Sequence, residues 1–242
     1  MIFANPLQKA TLVKRYKRFL ADVITDDGQE ITVHCPNSGS MRGCSVPGSK
    51  VMLSTSPNPK RKYPQGLEMV QVDDTWIGIN TMLTNGIVAE AILDGRIKEL
   101  QKIDKLTREV KTSKSSRLDL LLERGDEKIY VEIKNCSLVE DGWAMFPDAV
   151  TARGTKHLNE LAMLVEQGHQ GVLFFCIQRN DNDKFKPAAH IDPLYAKTLA
   201  EVAEKGVQIL AYQAEVTPES IEITKSIPIF LKEVQADAVC KK

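Results

Sequence analysis

Arg117-Leu118-Asp119-Leu120-Leu121-Leu122-Glu123, Arg124-Gly125-Asp126-Glu127, then Lys128-Ile129-Tyr130-Val131-Glu132-Ile133-Lys134-Asn135 is the stretch that decides the fold. Two apolar arms flank Gly-Asp, a favoured pair for a two-residue hairpin loop. With Gly125 and Asp126 in the loop, antiparallel pairing sets Asp119 opposite Glu132, their Cβ atoms about 4.5–5.5 Å apart. Lys134 lies two residues on and points to the same side. Opposed carboxylates destabilise a sheet, and a divalent cation between them removes the conflict and makes a metal site. The competing reading is a solvated charged face in which Lys134 pairs with Glu132 or Asp119, a bond worth roughly 0–1 kcal/mol. Glu123 and Lys128 offer another cross-strand pair of that ordinary kind.

Working outward, Thr84 or Asn85 caps a helix through Ile87, Val88, Ala91 and Ile92, with Gly95 near its end. A strand is expected over 107–112, ahead of the hairpin, and another near Trp143–Phe146. Residues 155–167 read as an amphipathic helix capped by Thr155, with Leu158, Leu161, Ala162 and Val165 inward and Gly168 as its stop. Gly171 to Gln178 is a buried strand. Asp192-Pro193 opens a third helix that ends before Gly206. Segments 207–212, 220–224 and 227–231 complete the sheet or lie along its edge.

Asp119, twelve intervening residues, then Glu132-Ile133-Lys134, set in an αβββαβ order, resembles the PD-(D/E)xK nuclease superfamily. Phosphodiester cleavage needs a metal to polarise a phosphoryl oxygen and lower the pKa of an attacking water. Hard Mg²⁺ (or Mn²⁺) takes carboxylate oxygens and keeps several waters. Asp119 and Glu132 are the expected ligands, with the Ile133 carbonyl and Glu90, from the preceding helix, as further candidates. Lys134 would orient the water or offset charge on the phosphate. Glu90 also reads as a plain surface helix residue.

Residues 1–80 read differently. The segment 10–24 is extended, 25–28 is a turn, and Glu30–Cys35, Lys50–Ser54 and Glu68–Val72 are short strands punctuated by Pro and Gly. This is the pattern of a small OB-like β-barrel. It carries 10 basic and 7 acidic residues, so it is at +3 and the remainder at −3, within a chain of no net charge. Lys14, Arg15, Lys17 and Arg18 surround Tyr16 and Phe19, and Arg61 and Lys62 adjoin Tyr63. Interleaved cations and aromatics suit a nucleic-acid groove, although a charge run is usually only a solvated face. Residues 36–43 form a loop able to present backbone amides to phosphate, or simply a tight turn. A second phosphate candidate is the helix entrance holding Arg153, Lys156 and His157, the alternative being a solvated Lys156 and a locally capping or packed His157. His169 and His190 read as structural.

The expected architecture is therefore mixed α/β. It comprises an OB-like barrel over 1–80, a PD-(D/E)xK nuclease-like αβββαβ domain over 81–232, and a tail over 233–242. Hydrophobic residues make up 43% of 242, enough for sizeable cores. The five cysteines are scattered singly, which argues against a disulfide framework or zinc ribbon. No signal-peptide pattern or membrane-length apolar run is present, so a cytoplasmic protein with no membrane partner is expected. No small-molecule cofactor is evident.

The chain also resembles the sugar fermentation stimulation protein A (SfsA) family. Its most specific stretches are His34–Met41, Glu132–Asn135, Phe146–Leu158, Gln178–Asp181 and Ile191–Ala196. The resemblance implies an OB-like domain before a PD-(D/E)xK-type domain. It also implies DNA binding with a link to regulation of sugar utilisation. Two functional readings follow: a DNA-binding protein with a divalent-metal-dependent nuclease site, or a non-catalytic DNA-binding regulator on the same scaffold. A protein-interaction module without nucleic-acid contacts ranks third.

Overall fold

The computed structural model describes residues 1–113 and 116–231. The tail over 233–242, with Cys240, lies outside them. Six strands come first: β1 (Gln8–Tyr16), β2 (Leu20–Thr25), β3 (Glu30–His34), β4 (Lys50–Thr55), β5 (Gln65–Val72) and β6 (Thr75–Gly78). They pair in the order β3-β2-β1-β4-β5-β6, and a bridge between His34 and Gly66 joins β3 to β5, closing a five-stranded barrel. Leu12, Val23, Val33, Leu53, Leu67 and Val70 fill it. The single extended segment expected over 10–24 is a hairpin. Lys17 and Arg18 take left-handed φ values of 50° and 64°, and no Gly or Asn marks that turn in the sequence.

Helix α1 (Thr81–Leu93) leaves the barrel directly. It starts one turn upstream of the cap expected at Thr84 or Asn85. Asn80 is the cap instead: its Oδ1 accepts from the Met82 amide at 3.0 Å. Its Nδ2 donates to buried Glu68 in β5 at 2.7 Å, so one side chain ends the barrel and begins the helix. Then come β7 (Lys105–Ser113), β8 (Ser116–Arg124), β9 (Glu127–Cys136), β10 (Leu138–Glu140), β11 (Trp143–Phe146), α2 (Ala152–Glu166), β12 (Gln170–Ile177), β13 (Lys184–Pro187), α3 (Pro193–Glu204), β14 (Gln208–Val216) and β15 (Ile221–Ser226). The main sheet runs β15-β14-β12-β9-β8-β7, with β9, β12 and β14 parallel. Ile87, Val88 and Ala91 of α1 pack on one face against Leu120, Leu122, Val131 and Ile133. Leu158 and Leu161 of α2 and Leu199 of α3 cover the other, against Leu173 and Phe175.

The αβββαβ order holds, with one addition. A three-stranded sheet, β10-β11-β13, sits beside α3; β11 is the strand expected near Trp143–Phe146, whereas the three-residue β10 and four-residue β13 are too short to leave a periodic signal. Helix α2 also starts earlier than expected, because Thr151 rather than Thr155 caps it, its Oγ1 accepting from Gly154 at 3.0 Å. Asp192 caps α3 with Pro193 in its first turn, as anticipated. The segment over 227–231 meets β13 through one bridge, Phe185 to Ile229. Cys35, Cys44, Cys136 and Cys176 are buried free thiols. Among the described residues, no helix is long and apolar enough to cross a membrane.

Replacing Asn80 by Ala removes the cap and strips Glu68 of a donor. Urea unfolding is expected to show a loss of about 2–3 kcal/mol. A change within about 0.5 kcal/mol, the range of an ordinary surface substitution, contradicts the joint role.

Candidate active site

The hairpin turns where the sequence predicts. Arg124 pairs with Glu127 around Gly125-Asp126, and Gly125 adopts φ 56°. The β8–β9 ladder runs back from there to Leu120↔Val131 and stops. On the other side of β8 the pairing passes from Arg108↔Leu120 to Val110↔Leu118, and the intervening Glu109 takes φ 55°. Asp119 is thus left out of the ladder on both edges. Leu120 and Leu122 pack under α1, whereas Leu118 packs with the α2 side, so strand alternation breaks at this residue.

Asp119 and Glu132 are therefore not a regular opposed pair; they meet where the two strands fork. Asp119 Oδ2 accepts from the Ile133 amide at 2.7 Å, taking over a ladder bond, and Oδ1 accepts from Asn85 of α1 at 2.8 Å. Glu132 is 3% exposed. Its Oε1 receives Lys134 Nζ at 2.5 Å and His157 Nδ1 from α2; a carboxylate only accepts, so Nδ1 is the donor. Its Oε2 is buried without a hydrogen-bond partner. Burial, then the charge of Glu132, pushes the Asp119 carboxyl above its ordinary value. Burial alone would raise Glu132 too, but the bond from His157 and the charge of Lys134 outweigh it and hold the group below the usual range.

Both carboxylates line one cavity of about 380 Å³. Its walls come from every part of the fold: Asn37, Ser38 and Gly39 of the barrel, Thr81, Thr84 and Asn85 of α1, Glu132 to Asn135 of β9, and Asp148 and Arg153 near the start of α2. The barrel loop forms one wall, and three of its amides are taken: Gly39 by Asn37 Oδ1 at 2.8 Å, Met41 by Asp148 Oδ2 at 2.9 Å and Arg42 by Ser40 Oγ at 3.2 Å. A Cβ on Gly39 would stand 2.9 Å from Asp148 Oδ2, so a larger residue there would have to displace the Asp148 carboxylate.

Other expected site residues go elsewhere. Glu90 does not join Glu132. It binds the Met1 ammonium at 2.6 Å and Arg96 at 3.2 Å, in a neighbouring groove that Asp119 also borders. The hydrogen bond from that ammonium keeps its carboxyl below the ordinary value despite partial burial. Arg15 does not face solvent phosphate; its guanidinium binds the carbonyls of Asn37 and Gly39 at 2.8 Å and of Arg18 at 2.9 Å, bracing the barrel loop. His157 is buried and turned onto Glu132. Lys14 is exposed and paired with Asp22 at 3.3 Å. Lys17, Arg18, Arg61, Lys62, Arg153 and Lys156 are exposed, Arg153 on the cavity. Ile133 lines the cavity as well.

Sequence reasoning missed Asn85 and Asp148 as parts of the site, and the amide network behind it. There Gln178 Nε2 bonds Asn135 Oδ1 at 2.5 Å and Thr84 Oγ1 at 3.1 Å. Only the inward turn of His157 had a usable signal: it lies in helical register with buried Leu161 and Leu164 once α2 is started at Thr151. Among the described residues no three His, Cys, Asp or Glu side chains cluster as metal ligands, so a cation here would rest on two carboxylates, backbone oxygen and water.

Comparison with known proteins agrees with this two-part plan. A model described as "SfsA N-terminal OB domain" matches residues 13–79, and one described as "Sugar fermentation stimulation protein RE domain" matches residues 82–220. A "Sugar fermentation stimulation protein homolog" of Desulfotalea psychrophila is 58% identical, covering 96% of this chain and 95% of its own. The homolog of Geobacter sulfurreducens is 51% identical over 96% of this chain and all of its own. The solved structure of Pyrococcus furiosus SfsA in complex with Ca²⁺ superposes with a TM-score of 0.87 at 27% identity, over 95% of this chain and 98% of that one. The chain belongs to the sugar fermentation stimulation protein family.

Proposed function

We propose that the protein is a divalent-metal-dependent nuclease acting on DNA, with the barrel as its grip. The observation that carries this reading is the buried, unpartnered Oε2 of Glu132 beside an Asp119 whose ionisation is resisted by burial and then by the Glu132 charge. An unsatisfied buried carboxylate oxygen is costly in a folded protein. A hard cation, taking carboxylate, carbonyl and water oxygens, relieves both strains. The relative solved with Ca²⁺ supports affinity for such an ion within the family.

Asp119 and Glu132, with the Ile133 carbonyl, would hold Mg²⁺ or Mn²⁺. The ion would polarise the phosphoryl oxygen and lower the pKa of a bound water. The rest is done by the chain. Asn85 and the Ile133 amide fix Asp119. His157 fixes Glu132 from behind, leaving Oε2 for the cavity. Lys134 brings positive charge to where the phosphate gains negative charge. Arg153, exposed at the cavity, would meet a neighbouring phosphate, and Lys17, Arg18, Arg61 and Lys62 would supply the barrel's share of the backbone contacts.

Purified protein is expected to cleave DNA with Mg²⁺ or Mn²⁺ across a screen of single strands, duplexes and branched substrates. Asp119→Asn and Glu132→Gln should abolish cleavage while retaining the fold, and Lys134→Ala should slow it by about 10²–10³. Cleavage that survives in both carboxylate variants rejects these roles. Salt-sensitive binding without cleavage under any condition would instead establish the non-catalytic regulator.

The raised pKa of Asp119 gives a second test. An acid whose folded pKa lies above its unfolded value costs stability when ionised. The cost is absent below the unfolded value, about 3.9, and grows as pH rises through the folded one. Metal-free Asp119→Asn escapes that cost but can accept from only one of the two N–H donors that Asp119 binds, so its melting temperature relative to wild type is expected to fall as pH is lowered. Mn²⁺ at a hundredfold excess over Kd should stabilise only the wild type, by about 2.7 kcal/mol. A difference between variant and wild type that does not move with pH in that direction, or a variant that Mn²⁺ stabilises equally, contradicts the account.

A further inference from the structure

The outer face of the β10-β11-β13 sheet carries charge that the site described above does not use. Register places Glu140 beside Trp143, Trp143 beside Lys184, and Met145 beside Lys186. Alternation sends Ala144 and Phe185 the other way, into the core under α2 and α3. Both lysines converge on one indole: Lys184 Nζ lies 4.5 Å and Lys186 Nζ 4.8 Å from the Trp143 ring centroid. Phe230 packs edge-on against that ring at 5.2 Å. Glu140 is drawn away, to Arg42 at 3.5 Å and His190 at 3.0 Å. Among the described residues neither lysine ammonium has a carboxylate within ion-pair distance, and two like charges over one ring repel.

This face runs into the candidate active site. Met145, two residues from Trp143 on the same side of β11, lines the cavity that holds Asp119 and Glu132. Two residues of strand span about 7 Å, which is about two stacked nucleotides along one strand. We propose that the face is a track for one strand of nucleic acid leaving the cavity. Lys184 and Lys186 meet successive phosphates, and Trp143, uncovered as they turn outward, stacks on a base. The proposal rests on the reading of the cavity as a phosphodiester site. Polyanion binding is what the observations favour: the face has cations without ion-pair partners and an aromatic platform, it adjoins the cavity at Met145, and its one carboxylate is already paired with Arg42.

The test uses the full chain in EDTA, with single-stranded oligothymidylate as probe. Trp76→Phe leaves Trp143 as the sole tryptophan of the two. Its emission should be quenched on binding. Lys184→Ala with Lys186→Ala should weaken binding at least tenfold at low salt and flatten the salt dependence by about 1.4 in log–log slope. Replacing the same lysines by Arg should restore both. If the parent binds and the alanine variant matches it in affinity and slope, with Trp143 emission unmoved, the track is wrong and the active-site reading stands. If polyglutamate quenches Trp143 and competes as well as the oligonucleotide, the face serves an acidic protein partner and the proposal is overturned. If the parent binds no nucleic acid, both readings fall together.

Discussion

The bond from the Ile133 amide to Asp119 is the constraint on which the rest depends. A β-ladder normally consumes its own amides and carbonyls, and a side chain has no claim on them. Here Glu109 of β7 takes a left-handed φ, β8 loses its partners at Asp119, and the carboxylate takes the vacated amide at 2.7 Å. The fork so created is what allows Asp119, tethered to α1 through Asn85, and Glu132, tethered to α2 through His157, to border a common cavity. In an unbroken hairpin the pair would be a cross-strand repulsion on a flat sheet. In the fork it is a concave, partly desolvated site with one carboxylate oxygen unspent.

The barrel is part of this construction and not an appendage. Arg15 ties the carbonyls of the 37–40 loop, Ser40 and Met41 bind Asp148, and Asn80 links buried Glu68 to the start of α1. Gly78 donates to the Gln178 carbonyl at 2.9 Å, and any Cβ there would collide with the Gln178 side chain. These bonds tie the barrel to the walls of the cavity, so a nucleic acid gripped by the barrel would be positioned relative to the cavity through them. Such preorganisation is what a metal-assisted displacement needs, because small misplacements of the reacting phosphate are expensive in rate.

What the sequence reveals is local. Gly125-Asp126 sets the hairpin register, Asp192-Pro193 sets α3, and the Pro- and Gly-punctuated strands of the first eighty residues indicate a barrel, because each signal lies within a few residues of its effect. What it conceals is long-range. Glu90 looks like an acidic helix residue near the site, but its partner is the chain's own ammonium, 89 residues away. Arg15 looks like a phosphate contact, but it braces a loop 22 residues on. Asn80 outcompetes Thr84 as a cap because Glu68 fixes its other end. In each case a partner distant in sequence and close in space decided the role, and periodicity carries no information about it.

The account stands or falls on whether the fork between β8 and β9 holds a hard cation. Crystals of the protein soaked in MnCl₂ and measured at a wavelength where manganese scatters anomalously answer this directly. A single strong anomalous peak within bonding reach of Asp119 and of Glu132 Oε2, lost in Asp119→Asn, is the predicted result. A map with manganese bound elsewhere, and Glu132 still closed on Lys134 and His157 with nothing at Oε2, would contradict it.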